Sequence, residues 1–168
     1  LIRQNRNQMG VAYLDGKTPC ILAARGTYKL MVVDAWQLKE GKLQRMWRWD
    51  GDEENPVVRS MGAHSMETGD VDGDGRDEIL LGSCMLDDRT LLWSSGLGHS
   101  DKAYLCKLHP DMEGLQVFMV SEPKKEDGRG VSVVSARTGE LIWDIGHTTY
   151  HVGDGMVADF DPEYPGLE

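Results

Sequence analysis

The chain is short of positive charge, aromatic residues, cysteine and long apolar stretches, and each shortage removes a class of protein. It carries 18 Lys and Arg against 28 Asp and Glu, a net charge of −10. A chain this acidic has no general positive field for nucleic acid or for anionic lipid. An anionic ligand would need a local cation, either a basic side chain or a bound metal. Its three cysteines, Cys20, Cys84 and Cys106, are odd in number and form no C-x-x-C pair, so neither a disulfide framework nor a zinc knuckle is expected. They are expected to be small buried strand residues. No apolar run approaches the roughly 18 residues that would suggest a membrane span. Only 7% of residues are aromatic. No stretch of about 12 residues keeps a 3.6-residue period, which argues against long helices.

What the chain has is turns. Gly and Pro together number 26 of 168 residues, about 15% against a usual value near 12%. Between the turns lie short runs rich in β-branched and aromatic residues, at 10–14, 20–24, 30–36, 79–82, 115–120, 131–134 and 141–145. Such spacing predicts an all-β domain. It begins at Leu1 with no charged-then-apolar leader and stops at DFDPEYPGLE, so both ends read as cut from a longer chain.

Two weak repeats are visible. EGKLQRMWRWD and TGELIWDIG share a turn glycine, a Leu two places later and then a Trp, and each follows VVDA or VVSA. An acidic loop leading into a strand recurs as DVDGDGRDEILLG, LHPDMEGLQVF and DFDPEYPGLE. The loops start near residues 70, 107 and 159, unevenly spaced by roughly 37 and 52 residues, which suits four-stranded propeller blades with variable insertions, about three of them in this length.

The first acidic loop carries the strongest chemical signal. Asp70, Asp72 and Asp74 alternate, Gly73 and Gly75 allow a tight turn, and Glu78 follows at the ninth position. Three inward carboxylates around one hard cation suit Ca²⁺ better than Mg²⁺; Arg76 would offer only its carbonyl. An EF-hand is excluded, because its twelfth position requires Glu and this one is Leu81, inside an ILLG strand. Asp159 and Asp161, with Glu163 and Glu168 after them, could form a second such loop. The middle loop places Lys107, His109 and Gln116 where carboxylates would be wanted, and is expected to have lost its ion.

His64 in GAHSM and His99 in GLGHSD, followed by Asp101, read alone as hydrogen-bonded residues near turns. Imidazole is not a preferred calcium ligand, and chemistry alone points to a softer metal. Arg25, at the end of a strand in AARGTY, could face an anion or sit in a surface ion pair. No metalloprotease helix, nucleophile elbow or phosphate loop is present.

Taken together, GVAYLDGKTPCILAARGTY, W-x-W-D, GAHSMETGDVDGDGRDEILLGSCMLDD, SSGLGHSDKAYL, GLQVFMVSEP and ARTGELIWDI resemble the rhamnogalacturonan lyases of polysaccharide lyase family 11. The resemblance implies an all-β fold, a partial β-propeller of about three blades from an eight-bladed ring stitched by calcium ions, with residues 1–168 an internal fragment near its middle. It implies secretion, or a periplasmic or cell-surface location, in pectin-digesting bacteria, and a monomer at full length. One calcium site would use Asp70, Asp72, Asp74, Arg76 and Glu78. A second would use His64, His99 and Asp101. The implied reaction is β-elimination at galacturonate in the rhamnogalacturonan I backbone, in which a cation or basic side chain neutralises the uronate carboxylate. Arg25 and Asp154 are the substrate-facing candidates and the catalytic candidates this stretch offers. Asp154 departs from the pattern, since related chains read V-G-R-G-M where this one reads VGDGM; an aspartate there would repel galacturonate. That departure keeps a non-catalytic glycan-binding propeller open as the alternative. An integrin-like adhesion propeller would share the acidic loop but not the GLGH-x-D segment.

Overall fold

In the computed structural model, residues 6–122 and 128–168 are described; the opening LIRQN and Pro123 of the quoted motifs lie outside them. The described chain is built from twelve strands, with helix limited to the four residues Gly51–Glu54 (α1) and a 3₁₀ turn at Pro56–Val58. The all-β expectation holds.

Strands come in three successive fours. The first is β1 (Asn7–Ala12), β2 (Cys20–Arg25), β3 (Val32–Lys39) and β4 (Lys42–Asp50), paired antiparallel in chain order. Next come β5 (Gly62–Gly69), β6 (Glu78–Gly82), β7 (Cys84–Asp87) and β8 (Thr90–Ser94). The last four are β9 (His99–Cys106), β10 (Gln116–Glu122), β11 (Val131–Ser135) and β12 (Leu141–Asp144). The second and third fours share one curled eight-stranded sheet, because β5 and β9 lie side by side in parallel at Ala63 and Ser100.

Short hairpins follow from local chemistry. Glu40 and Gly41 both adopt positive φ (50° and 74°), the signature of a two-residue turn whose twist matches its strands. Leu38 faces Leu43 and Lys39 faces Lys42 across it. The repeat seen in the sequence is this hairpin: VVDA and VVSA run along the third strands β3 and β11, and the Trp residues follow on the fourth strands β4 and β12.

Two apolar cores separate the three meanders. The first gathers Leu22, Val33, Ala35 and Trp49 with Ile79, Leu81 and Leu86. The second gathers Leu80, Met85 and Trp93 with Ala103, Val117, Met119 and Val134. Strand β6 contributes to both, since Ile79 and Leu81 point one way and Leu80 the other. All five of its residues are buried. Trp93 closes the second core by donating to the Ala136 carbonyl at 2.7 Å. Cys20 and Cys84 are buried free thiols, and Cys106, at the end of β9, is half-buried.

Gly82 ends β6 at φ +125°, and a Cβ there would meet the Ala63 amide nitrogen and the Met61 carbonyl at 2.6 Å. Both are backbone atoms that cannot step aside. Gly82→Ala in the full-length protein should therefore cost at least about 3 kcal/mol in urea unfolding; a loss under about 1 kcal/mol would refute the close approach.

Candidate functional site

Strand β5 connects two clusters of ligand-type side chains, one at each end. His64 lies near its start and Asp70 follows its end, six residues on, which places them up to roughly 20 Å apart at 3.3 Å per residue.

At the far end, the loop from Asp70 to Asp77 joins β5 to β6 and is folded around its own carboxylates. Asp70 accepts from the Gly73 and Gly75 amides (2.6 and 2.9 Å), Asp72 from the Asp74 amide (3.1 Å), and Asp74 from the Arg76 amide (2.8 Å). Gly73 and Gly75 sit at φ +84° and +87°, where side-chain-bearing residues are strained. Carboxylate oxygens of Asp70, Asp72 and Glu78 lie within 4.8 Å of one another. Asp74 stands apart from that convergence because the Arg76 guanidinium holds it at 2.5–2.8 Å. The charge of Arg76 thus holds Asp74 below the usual carboxylate range, through hydrogen bonding first.

Glu78 is the member that decides what the cluster needs. As the first residue of β6 it is 1% exposed. Its Oε2 accepts the Val71 amide at 2.7 Å, while its Oε1 is buried with no hydrogen-bond partner. Burial raises its pKa from 4.5 to about 7, with Asp72, Asp87 and Asp74 adding repulsion and the Val71 amide opposing. An unpartnered buried carboxylate oxygen facing two further carboxylates is what a hard divalent cation would satisfy, and an all-oxygen donor set suits calcium. The residues fit that ion.

At the near end the cluster is built on the start of β5 and β9. His99 is buried, and its Nδ1 faces the Gly62 carbonyl at 2.5 Å. That contact fixes the tautomer: Nδ1–H donates, and the Nε2 lone pair is left for the cluster. His99 Nε2 lies 3.3 Å from His64 Nε2 and 3.8 Å from Asp101, and His64 Nε2 lies 3.5 Å from Asp101. Ligand atoms of His64, His99 and Asp101 all fall within 4.8 Å of one another. Burial pushes both imidazoles below their ordinary pKa, aided for His64 by the charge of His99. His64 Nδ1 is buried without a partner. Two imidazoles and one carboxylate favour a softer ion on donor chemistry alone.

Two neighbours of this end escaped the sequence reading. His151 Nε2 meets Asp101 at 2.5 Å, and Tyr28 packs on His99 at 4.5 Å between ring centroids, with its hydroxyl 3.5 Å from His64. His151 had a signal: it stands eight residues before Asp159, as His99 stands eight before Lys107. Arg25 is exposed at the end of β2, two residues before Thr27, whose hydroxyl donates to the Ala63 carbonyl beside His64. Asp154 is exposed in the irregular segment after β12, accepting the Gly155 amide at 2.9 Å. Among the described residues, Asp159 and Asp161 join no group of three converging ligand atoms. Asp161 instead accepts the Glu163 amide at 3.1 Å.

Compared with known proteins, residues 2–168 match the family model described as rhamnogalacturonan lyase family 11, C-terminal domain. The chain is 40% identical over 168 residues to rhamnogalacturonan endolyase YesW of Bacillus subtilis (strain 168), and 40% identical over 166 residues to rhamnogalacturonan exolyase YesX of the same strain. These alignments cover 99% and 98% of this chain but 27% of each relative. The crystal structure of the exotype lyase YesX superposes with a TM-score of 0.91 at 40% identity, over 98% of this chain and 27% of that one.

Glu78 yields a test of sign. Its folded-state pKa is raised, so in cation-free protein its contribution to stability is complete below about pH 4.5 and is lost as pH rises towards about 7. Glu78→Gln should remove this loss. In chelator, wild type should fall by up to about 3 kcal/mol relative to the variant between pH 4.5 and 8 by urea unfolding. Parallel pH profiles would show that the carboxylate is solvated.

Proposed function

The chain belongs to rhamnogalacturonan lyase family 11, and from that premise we propose that the full-length protein cleaves the rhamnogalacturonan I backbone of pectin by calcium-dependent β-elimination at galacturonate. The observation that carries the reading is 40% identity across 98–99% of the chain to both an endolyase and an exolyase. Both relatives match equally, so identity favours neither internal nor terminal cleavage. We further propose that the three meanders are about three blades of a larger β-propeller, that Asp70, Asp72 and Glu78 hold one Ca²⁺ with Asp74 and Arg76 closing the loop, and that His64, His99 and Asp101 hold another. Asp159 and Asp161 are retained as ligands that would have to swing inward around an ion. We also propose a monomer at full length and a location that suits a polymeric substrate: secreted, periplasmic or at a bacterial cell surface.

The reaction removes the proton on C5 of galacturonate to a base, expels the C4 oxygen with the rhamnose, where it takes up a proton as a hydroxyl, and leaves a C4=C5 double bond in the uronate. A bound divalent cation supplies charge neutralisation at the uronate carboxylate, which acidifies the C5 proton. The side chains do the holding. Gly62 fixes the His99 tautomer, Asp101 orients His151 at 2.5 Å, and Arg25 is an exposed guanidinium two residues before Thr27, which donates to the Ala63 carbonyl. Asp154 is exposed and anionic, and it favours a second reading in which the propeller binds the glycan without cutting it.

Full-length protein incubated with rhamnogalacturonan I should produce the ultraviolet absorbance of an unsaturated uronate, abolished by chelator and restored by calcium. Asp101→Asn should lower the rate roughly 10–100-fold. Absence of product from folded protein, with Asp154→Arg also inactive, would refute cleavage; retained glycan binding in that case would select the second reading.

A further inference from the structure

The loop Lys107–Gln116 between β9 and β10 and the segment Asp159–Glu168 are the same length and share Pro110/Pro162, Gly114/Gly166 and Leu115/Leu167. They are also tied alike. Gln116 Oε1 accepts the His109 amide at 3.0 Å, and Glu168 Oε2 accepts the Asp161 amide at 3.3 Å. With that register fixed, Lys107 stands for Asp159, His109 for Asp161 and Gln116 for Glu168. At these three positions, three carboxylates in one loop give way to a single lysine charge in the other, while Asp111, Glu113 and Glu163 lie between them.

The positive charge has a defined place. Lys107 Nζ donates to the carbonyl of Gly114 at 2.9 Å and to that of Met112. His109 does not compete, because its Nε2 accepts from Trp143 Nε1 at 3.0 Å and is turned towards β12. We propose that the Lys107 ammonium is the resident cation of this loop, a side chain serving where the sister loop at Asp70 brings three carboxylates together. An ammonium brings three donors and no acceptor, so it satisfies backbone carbonyls, the same hard oxygens a calcium ion takes. It also removes the need for carboxylates, which the loop lacks at all three positions. This loop therefore stays closed at any calcium concentration, whereas the loop carrying Asp70–Glu78 answers to chelation. The likeness to a metal loop rests on the calcium reading of the sister loops; the role of Lys107 rests on its own contacts.

The test uses full-length protein, counting bound calcium by equilibrium dialysis and following thermal unfolding. Lys107→Met keeps the apolar stem and removes the charge; it should lower the melting temperature by about 2 °C, with no recovery on adding calcium. The triple variant Lys107→Asp, His109→Asp, Gln116→Glu should bind one more calcium per chain than wild type and should melt lower when chelated. A neutral Lys107→Met, or a folded triple variant that gains no ion, would overturn the proposal. If the triple variant does not fold, Lys107→Met decides. Asp72→Asn separates the two sites: an unchanged calcium count in that variant would remove the ion from the Asp70 loop and leave the role of Lys107 untouched.

Discussion

Strand β6 is buried along its whole length, and a strand with two dry faces has to be covered twice. Ile79 and Leu81 find their cover in the first meander and Leu80 finds it in the third. A lone four-stranded sheet exposes both faces, so stacking one meander on the next is the means by which each buries its surface. The same requirement draws Glu78, the first residue of β6, out of solvent. Its buried Oε1 follows from the strand's position and is not a local accident of the loop.

That carboxylate then sets the electrostatics of the neighbouring turn. An acidic chain that buries a carboxylate beside Asp70 and Asp72 has three remedies: protonation, a cation, or removal of the acids. The burial that raises the pKa of Glu78 to about 7 favours the first remedy. The second is the calcium proposed for the site. The third is the β9–β10 loop, where Gln116 keeps the backbone bond that Glu78 makes while shedding the charge. One backbone design thus appears with different solutions to a single energetic problem.

Legibility in the sequence followed the same physics. Strands covered by apolar neighbours announced themselves: VVDA, VVSA, ILLG and the cysteine-led β2 all lie where short β-branched runs predicted strands. Strands β5 and β9 did not, because GAHSMETG and HSDKAYLC carry histidine, glutamate, aspartate and lysine in place of alternating apolar residues. Those are the two strands that build the histidine cluster, so the polarity that hid them as strands exposed them as a site. The convergence of Asp70, Asp72 and Glu78 was readable from spacing alone. The withdrawal of Asp74 was not, since it depends on the Arg76 side chain folding back over two residues. His151 and Tyr28 come from segments far from β9 in sequence, and only the packing of meanders brings them to Asp101 and His99.

The two ends of β5 differ in what could reach them. At the Asp70 end the deciding ligand is 1% exposed and the other carboxylates are committed to their own loop amides. An ion there would contribute to stability by mass action. At the histidine end, His151 is about half exposed and meets Asp101, which is buried with His99. A polyanionic chain approaching a protein of net charge −10 meets repulsion over most of the surface. The donor set of His64, His99 and Asp101 is where a bound cation would locally reverse that repulsion. On the proposed reading, the histidine end would meet the substrate and the aspartate end would hold the fold.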